Sequence, residues 1–143
     1  MQWIVLTNSN QCRIFSFCKA DKKLNLIKEI NHPENREKDF DLVSDSAGRY
    51  KSDAGGHGAY SQQTDPKEIK IDQFMLELCN ALDEARTHDQ FNQLVIIAPP
   101  KTHGLLTQRM NKNVEKLISQ VIQKDLVFLK EHELLDLLIK EIK

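Results

Sequence analysis

Three short runs dense in β-branched, aromatic and aliphatic residues open the chain: Trp3 to Thr7 (WIVLT), Cys12 to Lys19 (CRIFSFCK) and Leu24 to Ile30 (LNLIKEI). Short links that contain Asn8-Ser9-Asn10 and Ala20-Asp21-Lys22 separate them. Asn and Asp tolerate the left-handed region and cap their own backbone, so both links read as tight turns. Three strands joined by tight turns make an antiparallel meander. That meander constrains the rest of the fold, because its apolar faces must be covered by later parts of the chain. The first run is apolar throughout, which predicts a strand with both faces covered. In the second, Ile14 with Cys12 and Cys18 faces one way, while Phe15 and Phe17 face the other. In the third, Leu24, Leu26 and Ile30 are expected on one side.

The covers appear further along. Asp65-Pro66-Lys67-Glu68 is a helix start: Asp65 caps free N–H groups, Pro66 suits the first turn, and Glu68 sits where a capping box places an acid. Ile71, Phe74, Met75, Leu78, Leu82 and Ala85 recur at helical spacing, so the helix runs to Thr87. After a break at His88 to Asn92, the run QLVIIA (Gln93 to Ala98) is bounded by Pro99-Pro100 and reads as a buried strand. A helix crossed over to reach it, so it lies parallel to its neighbour, and a right-handed crossover sets it beside the first strand. Lys101 to Met110 reads as a short helix with Leu105 and Leu106 inward, and Asn111 to Leu117 as another turn or two. Ile118 to Lys124 reads as a last edge strand. Glu131 to Ile142 reads as an amphipathic helix with Leu134, Leu135, Leu138 and Ile142 on one face. The expected fold is α/β: a single domain over 1–143, with a mixed five-stranded sheet of ribonuclease-H-like order and helices on its faces.

Bulk properties narrow the function classes. At 143 residues and 40% hydrophobic content the chain can fold around one core. Its 20 basic and 21 acidic residues leave a net charge of −1, so no bulk attraction draws it to nucleic acid or anionic lipid. The start, MQWIVLTNSN, lacks a basic n-region and a long apolar stretch, and the longest apolar run is far short of the roughly 20 residues a bilayer needs. A cytoplasmic protein without membrane insertion is expected. Cys12, Cys18 and Cys79 are an odd count with no CxxC, each in an apolar element, and read as buried reduced thiols.

Between Asn31 and Thr64 the hydrophobic pattern stops. This segment carries Pro33 and four of the chain's five glycines, Gly48, Gly55, Gly56 and Gly58, the last three beside a histidine in GRYKSDAGGHGAY. Connections longer than about 12–15 residues are usually functional or disordered. A long Gly-rich loop is therefore expected between the third strand and the first long helix. It lacks the order of a phosphate-binding loop, since Lys51 precedes the glycines, and it does not follow a strand to open a helix as a dinucleotide fingerprint does. No spacing joins His57 with His32, Asp53 or His103 into a metal site, so no metal or cofactor is expected. His57 has the titration range of a general base, and Asp53 lies near it in sequence, but no nucleophile is evident. The alternative is a surface loop with an incidental histidine. A ribonuclease-H nuclease needs converging carboxylates, whereas Glu29 is the only acid inside the first three strands.

Several stretches together resemble a bacterial family, the host attachment proteins ("protein required for attachment to host cells"). They are Asn31-His32-Pro33-Glu34-Asn35-Arg36, Asp41-Leu42-Val43-Ser44-Asp45 with Gly48-Arg49, Ser52-Asp53-Ala54-Gly55-Gly56, Thr64-Asp65-Pro66-Lys67-Glu68, Val95-Ile96-Ile97-Ala98-Pro99-Pro100, and Lys124-Asp125-Leu126. The family is similar to bacterial release-factor-like proteins and to the middle domain of archaeal and eukaryotic class I peptide-chain release factors. The resemblance implies a ribonuclease-H-like sheet and a long loop carrying Gly-Gly-Gln, which enters the ribosomal peptidyl-transferase centre and promotes hydrolysis of peptidyl-tRNA. Here Gly55-Gly56-His57 stands where Gly-Gly-Gln stands, and imidazole differs from the amide in shape and charge state. The implied binding loop is Arg49, Lys51, Ser52, Asp53, Gly55, Gly56, His57 and Gly58, with His57 the candidate catalytic residue. The implied partner is a ribosome or tRNA; a protein partner is the alternative. No codon-reading domain is visible, so stop-codon decoding is not expected.

Overall fold

A computed structural model of the chain describes residues 1–31 and 66–142. The predicted loop, Asp65, and all of Arg49, Lys51, Ser52, Asp53, Gly55, Gly56, His57 and Gly58 lie outside the described residues. The meander forms as its sequence dictates: β1 (Gln2–Thr7), β2 (Gln11–Cys18) and β3 (Lys23–Asn31). Then come α1 (Pro66–Thr87), β4 (Gln93–Ile97), α2 (Pro100–Arg109), the single turn α3 (Lys112–Glu115), β5 (Ile118–Ile122) and α4 (Glu131–Glu141). The sheet is open and mixed, in the order β3-β2-β1-β4-β5. β1 pairs antiparallel with β2 and parallel with β4, and β4 pairs parallel with β5.

Alternation along the strands splits the core in two. Trp3, Val5, Cys12, Ile14, Leu94 and Ile96 face α1, α2 and α3, meeting Phe74, Leu78, Leu82, Leu106 and Val114. Ile4, Leu6, Phe15, Phe17, Val95 and Ile97 face the other way and meet Leu134 and Leu138 of α4 and Ile142 just after it. Trp3 to Thr7 are all buried, as a strand covered on both faces must be. Trp3 stacks on Phe91, ring centroids 4.9 Å apart, and so ties β1 to the link between α1 and β4. The helix termini follow local rules. Pro66 and Pro100 open α1 and α2, where a missing N–H costs nothing. Asn111 caps α3 by accepting from the Asn113 N–H (2.7 Å). The Glu133 carboxylate accepts the Lys130 N–H (2.9 Å) at the start of α4. α1 ends in a Schellman motif: Gln90 N–H donates to the Ala85 carbonyl and Asp89 N–H to that of Arg86. Asp89 takes the left-handed conformation there, at φ 55°.

Two expectations need correction. Leu24, Leu26 and Ile30 do not share a face. The β2–β3 register shifts between Ile14 and Phe15, so that Phe15 pairs with Leu26 but Ile14 with Lys28. Ile27 is the extra residue of a β-bulge, and one inserted residue exchanges the faces beyond it. Leu24 and Leu26 therefore share the side of Phe15 and Phe17, whereas Ile30 joins Cys12 on the opposite side. The second concerns the cysteines. Cys12 and Cys79 are buried, but Cys18 is exposed at the last position of β2.

Candidate functional site

Strand polarity gathers several polar groups at one edge of the sheet. β1, β3, β4 and β5 all end there and β2 begins there, as the pairs Thr7–Cys12, Gln11–Asn31, Leu6–Ile97 and Ile97–Ile122 require. In open α/β sheets the carboxyl ends of parallel strands are where ligands bind. The chain enters its Gly-rich segment from this edge, at Asn31. The amino end of α2 lies at it too, directly after β4.

The edge is ordered by short-range hydrogen bonds. The Asn8 side-chain carbonyl accepts from the backbone N–H groups of Asn10 (2.9 Å) and Gln11 (3.0 Å), an Asx turn that tightens the β1–β2 link. Asn8 Nδ2 donates to Asp125 Oδ1 (3.4 Å), which links the meander to the stretch after β5. Thr7 is buried, its hydroxyl 2.9 Å from the Gln11 carbonyl. Gln123 Nε2 lies 3.2 Å from His103 Nδ1, at the mouth between β5 and α2. Such a rim suits hydrogen bonding to a partner. It brings together no nucleophile with a base, and no three His, Cys, Asp or Glu side chains among the described residues could hold a metal. His103, a candidate companion for His57, has its Nδ1 engaged by Gln123.

The stretch between β5 and α4 forms a strap that the sequence pattern does not signal. Leu126, Val127 and Leu129 pack against the α4 side of the core. Arg13, projecting from β2 on that side, donates from Nη2 to the carbonyl of Val127 and to that of Leu129 (2.8 Å). Its guanidinium carbon lies 5.8 Å from the Phe15 ring centroid, and its Nε is buried without a partner. A charged residue inside the apolar run CRIFSFCK was the signal for this anchor.

A cleft of about 280 Å³ opens on the α1 side of the sheet. Trp3, Ile14, Ala81 and Ala85 line it, with Lys28, Glu84 and His88 at the rim. His88 Nδ1 lies 2.8 Å from the Glu84 carbonyl, which leaves its other nitrogen outward. Sequence periodicity could not reveal this cleft, because it arises where two alanines of α1 cross β2 and β3. Neither buried thiol is a nucleophile. Burial pushes Cys12 up from 9.0 to about 12, outweighing the Thr7 hydrogen bond and Lys28. Burial likewise pushes Cys79 up to about 11, against the opposing charge of Arg109.

The sequence matches a protein family. The model of the family described as "Protein required for attachment to host cells" matches residues 3–138, nearly the whole chain. The chain belongs to this family. No curated protein matches the sequence. The family match covers every strand from Trp3 onward and reaches Leu138 in α4, so the sheet, both its covers and the segment leaving at Asn31 all fall within the family's span. No helix among the described residues is long and apolar enough to cross a membrane.

Proposed function

We propose that this host attachment family protein is release-factor-like, with a ribonuclease-H-like body, and that it presents Gly55-Gly56-His57 to a ribosome or tRNA in the cytoplasm. The observation that carries the reading is the concentration of Gly48, Gly55, Gly56 and Gly58 with Arg49, Lys51 and His57 in one segment, entered at Asn31 from the edge where β1, β4 and β5 end. Glycine lets backbone approach a crowded surface closely, at conformations that cost other residues. Arg49 and Lys51 meet phosphate, which positions the segment without reading sequence. His57 stands where the resembling release factors carry glutamine, and its imidazole either holds a water or donates a hydrogen bond to the partner.

The test is co-sedimentation of the protein with ribosomes at low salt. The intact chain pellets with them, Gly56→Pro pellets much less, and binding weakens as salt rises. Absence of the intact protein from the ribosome pellet at low salt overturns the reading. A second reading, a non-catalytic protein-interaction module that influences attachment indirectly, is favoured by Leu26 and Ile27, apolar side chains 47% and 45% exposed on the edge strand β3. Its mark is a dominant protein partner whose capture ribonuclease does not affect.

A further inference from the structure

The two prolines that open α2 leave its amino end uncapped. Pro99, the residue before the first turn, carries no polar side chain, and no side-chain hydrogen bond caps this terminus. Pro100 has no N–H to offer, and the His103 N–H donates to the Pro99 carbonyl (2.8 Å). The N–H groups of Lys101 and Thr102 find no acceptor among the described residues. They form the positive end of the helix dipole, and no acidic side chain of the first turn meets them.

Thr102 makes this more than an open helix end. It continues the buried stripe of Leu106 and Met110 and is only 6% exposed, a threonine where an aliphatic residue would pack. Its hydroxyl bonds to no described residue. A side chain at the third position of a helix ordinarily reaches back to the N–H of the capping residue, and Pro99 has none. The Cα–Cβ bonds of a helix lean toward its amino end, so the Thr102 side chain is aimed at the free N–H groups. Arg13 Nε is the one side-chain nitrogen or oxygen among the described residues that is both sealed from solvent and unpaired, so the unpaired Thr102 oxygen opens outward. A nearly buried hydroxyl without a partner is costly, and one ligand that only accepts hydrogen bonds would satisfy it together with both N–H groups. The three donors sit outside the carboxyl ends of β1 and β4, where the chain departs to β2 on one side and to β5 on the other, the switch point at which open α/β sheets bind ligands.

We propose that the amino end of α2 binds the terminal phosphate of a phosphate monoester, through the Lys101 N–H, the Thr102 N–H and the Thr102 hydroxyl. Three donors match the three free oxygens of a monoester, whereas a phosphodiester, as in an RNA backbone, has two. The Ala98 N–H donates to the Ile122 carbonyl (3.0 Å), which brings Lys124 to the same edge as Lys101, and Asp125 beside it is engaged by Asn8. The site uses no residue of the Gly-rich segment, so its test is independent of ribosome binding. The test is a titration of the isotope-labelled full chain with methyl phosphate, followed at the backbone amide resonances, against sodium chloride at matched ionic strength. The Lys101 and Thr102 amides shift most and saturate with a dissociation constant on the order of 1 mM. Thr102→Val keeps the shape of the side chain and weakens binding at least about tenfold, as loss of a hydrogen bond to a charged acceptor does, while Thr102→Ser stays within about threefold of wild type. Dimethyl phosphate, a diester, binds at least about tenfold more weakly than methyl phosphate. Lys101→Glu, an exposed change that sets an acid at the terminus, replaces Thr102→Val should circular dichroism show that variant unfolded, and it weakens binding by a similar factor. Shifts no larger than those with sodium chloride, or centred away from Lys101 and Thr102, overturn the proposal. So does binding by Thr102→Val within about twofold of wild type. Equal binding of dimethyl phosphate overturns the monoester assignment.

Discussion

Replacing Arg13 with Met tests how the strap is attached. Met keeps the apolar stem of the side chain but ends short of the guanidinium and removes both hydrogen bonds to the Val127 and Leu129 carbonyls. Hydrogen bonds from a charged donor contribute about 1.5–3 kcal/mol each, so the gross loss is about 3–6 kcal/mol. Two effects oppose it. The substitution removes a charged group whose Nε is buried and unpaired, relief worth about 1–3 kcal/mol, and the Met thioether can pack near Phe15. The net expectation is about 2–3 kcal/mol of destabilisation. For a chain of 143 residues this corresponds to a fall in Tm of about 6–9 °C. Arg13→Lys keeps the charge but is shorter and loses the planar Nη2 group that donates to both carbonyls, and falls about halfway. Urea titrations of the three proteins give the free energies, and hydrogen exchange at Leu129, whose N–H closes the turn, locates the change. A loss below about 0.5 kcal/mol for Arg13→Met, with Leu129 exchange unaltered, refutes the claim that Arg13 holds the strap.

Two deletions and two substitutions probe the sheet, the end of α1 and the buried thiols. Deleting Ile27 removes the bulged residue and restores an uninterrupted β2–β3 ladder with every face preserved, so its stability stays within about 1 kcal/mol of wild type; deleting Ser16 in β2 reverses the faces beyond it and prevents cooperative thermal unfolding. Asp89→Gly relieves the left-handed strain at the end of α1 and raises stability by about 0.5–1 kcal/mol in urea. The buried thiols set the alkaline limit. Their folded pKa values lie above the 9.0 of an unfolded thiol, so above pH 9 the unfolded state loses protons that the folded state keeps, and stability falls with rising pH, up to about pH 11 for Cys79 and about pH 12 for Cys12. Together they contribute a slope approaching about 2.8 kcal/mol per pH unit between pH 9 and about 11, which Cys12→Ala halves, while at neutral pH a thiol reagent labels native Cys18 alone.

The architecture was legible because its signals are periodic. The meander, the helix beginning at Pro66 and ending at Thr87, and the placement of Gln93–Ile97 beside β1 all come from alternation, helical spacing and the handedness of crossovers. Ile27 escaped because an inserted residue looks like any other in a one-dimensional pattern; only its partner strand reveals that Phe15 meets Leu26 while Ile14 meets Lys28. Cys18 was misplaced because alternation gives a side and not a depth, and β2 runs past the cover at its last residue. The strap has no period at all. Its fixed point is a contact between residues more than a hundred positions apart, Arg13 and Leu129. The cleft is a product of tertiary crossing, which two alanines in a helix do not announce. For the candidate site, the composition of the segment that starts after Asn31 was plain in the sequence, while the polar edge from which the chain enters it came only with strand polarity.

Site-specific photo-cross-linking in the presence of ribosomes addresses the functional reading most directly. A photoreactive residue at position 57 is compared with one at Gln108, an exposed position on α2. The account predicts that position 57 cross-links to ribosomal RNA or tRNA, that position 108 does not, and that Gly56→Pro abolishes the position-57 product. Cross-links from position 57 to protein alone, or none above the level seen at position 108, contradict it.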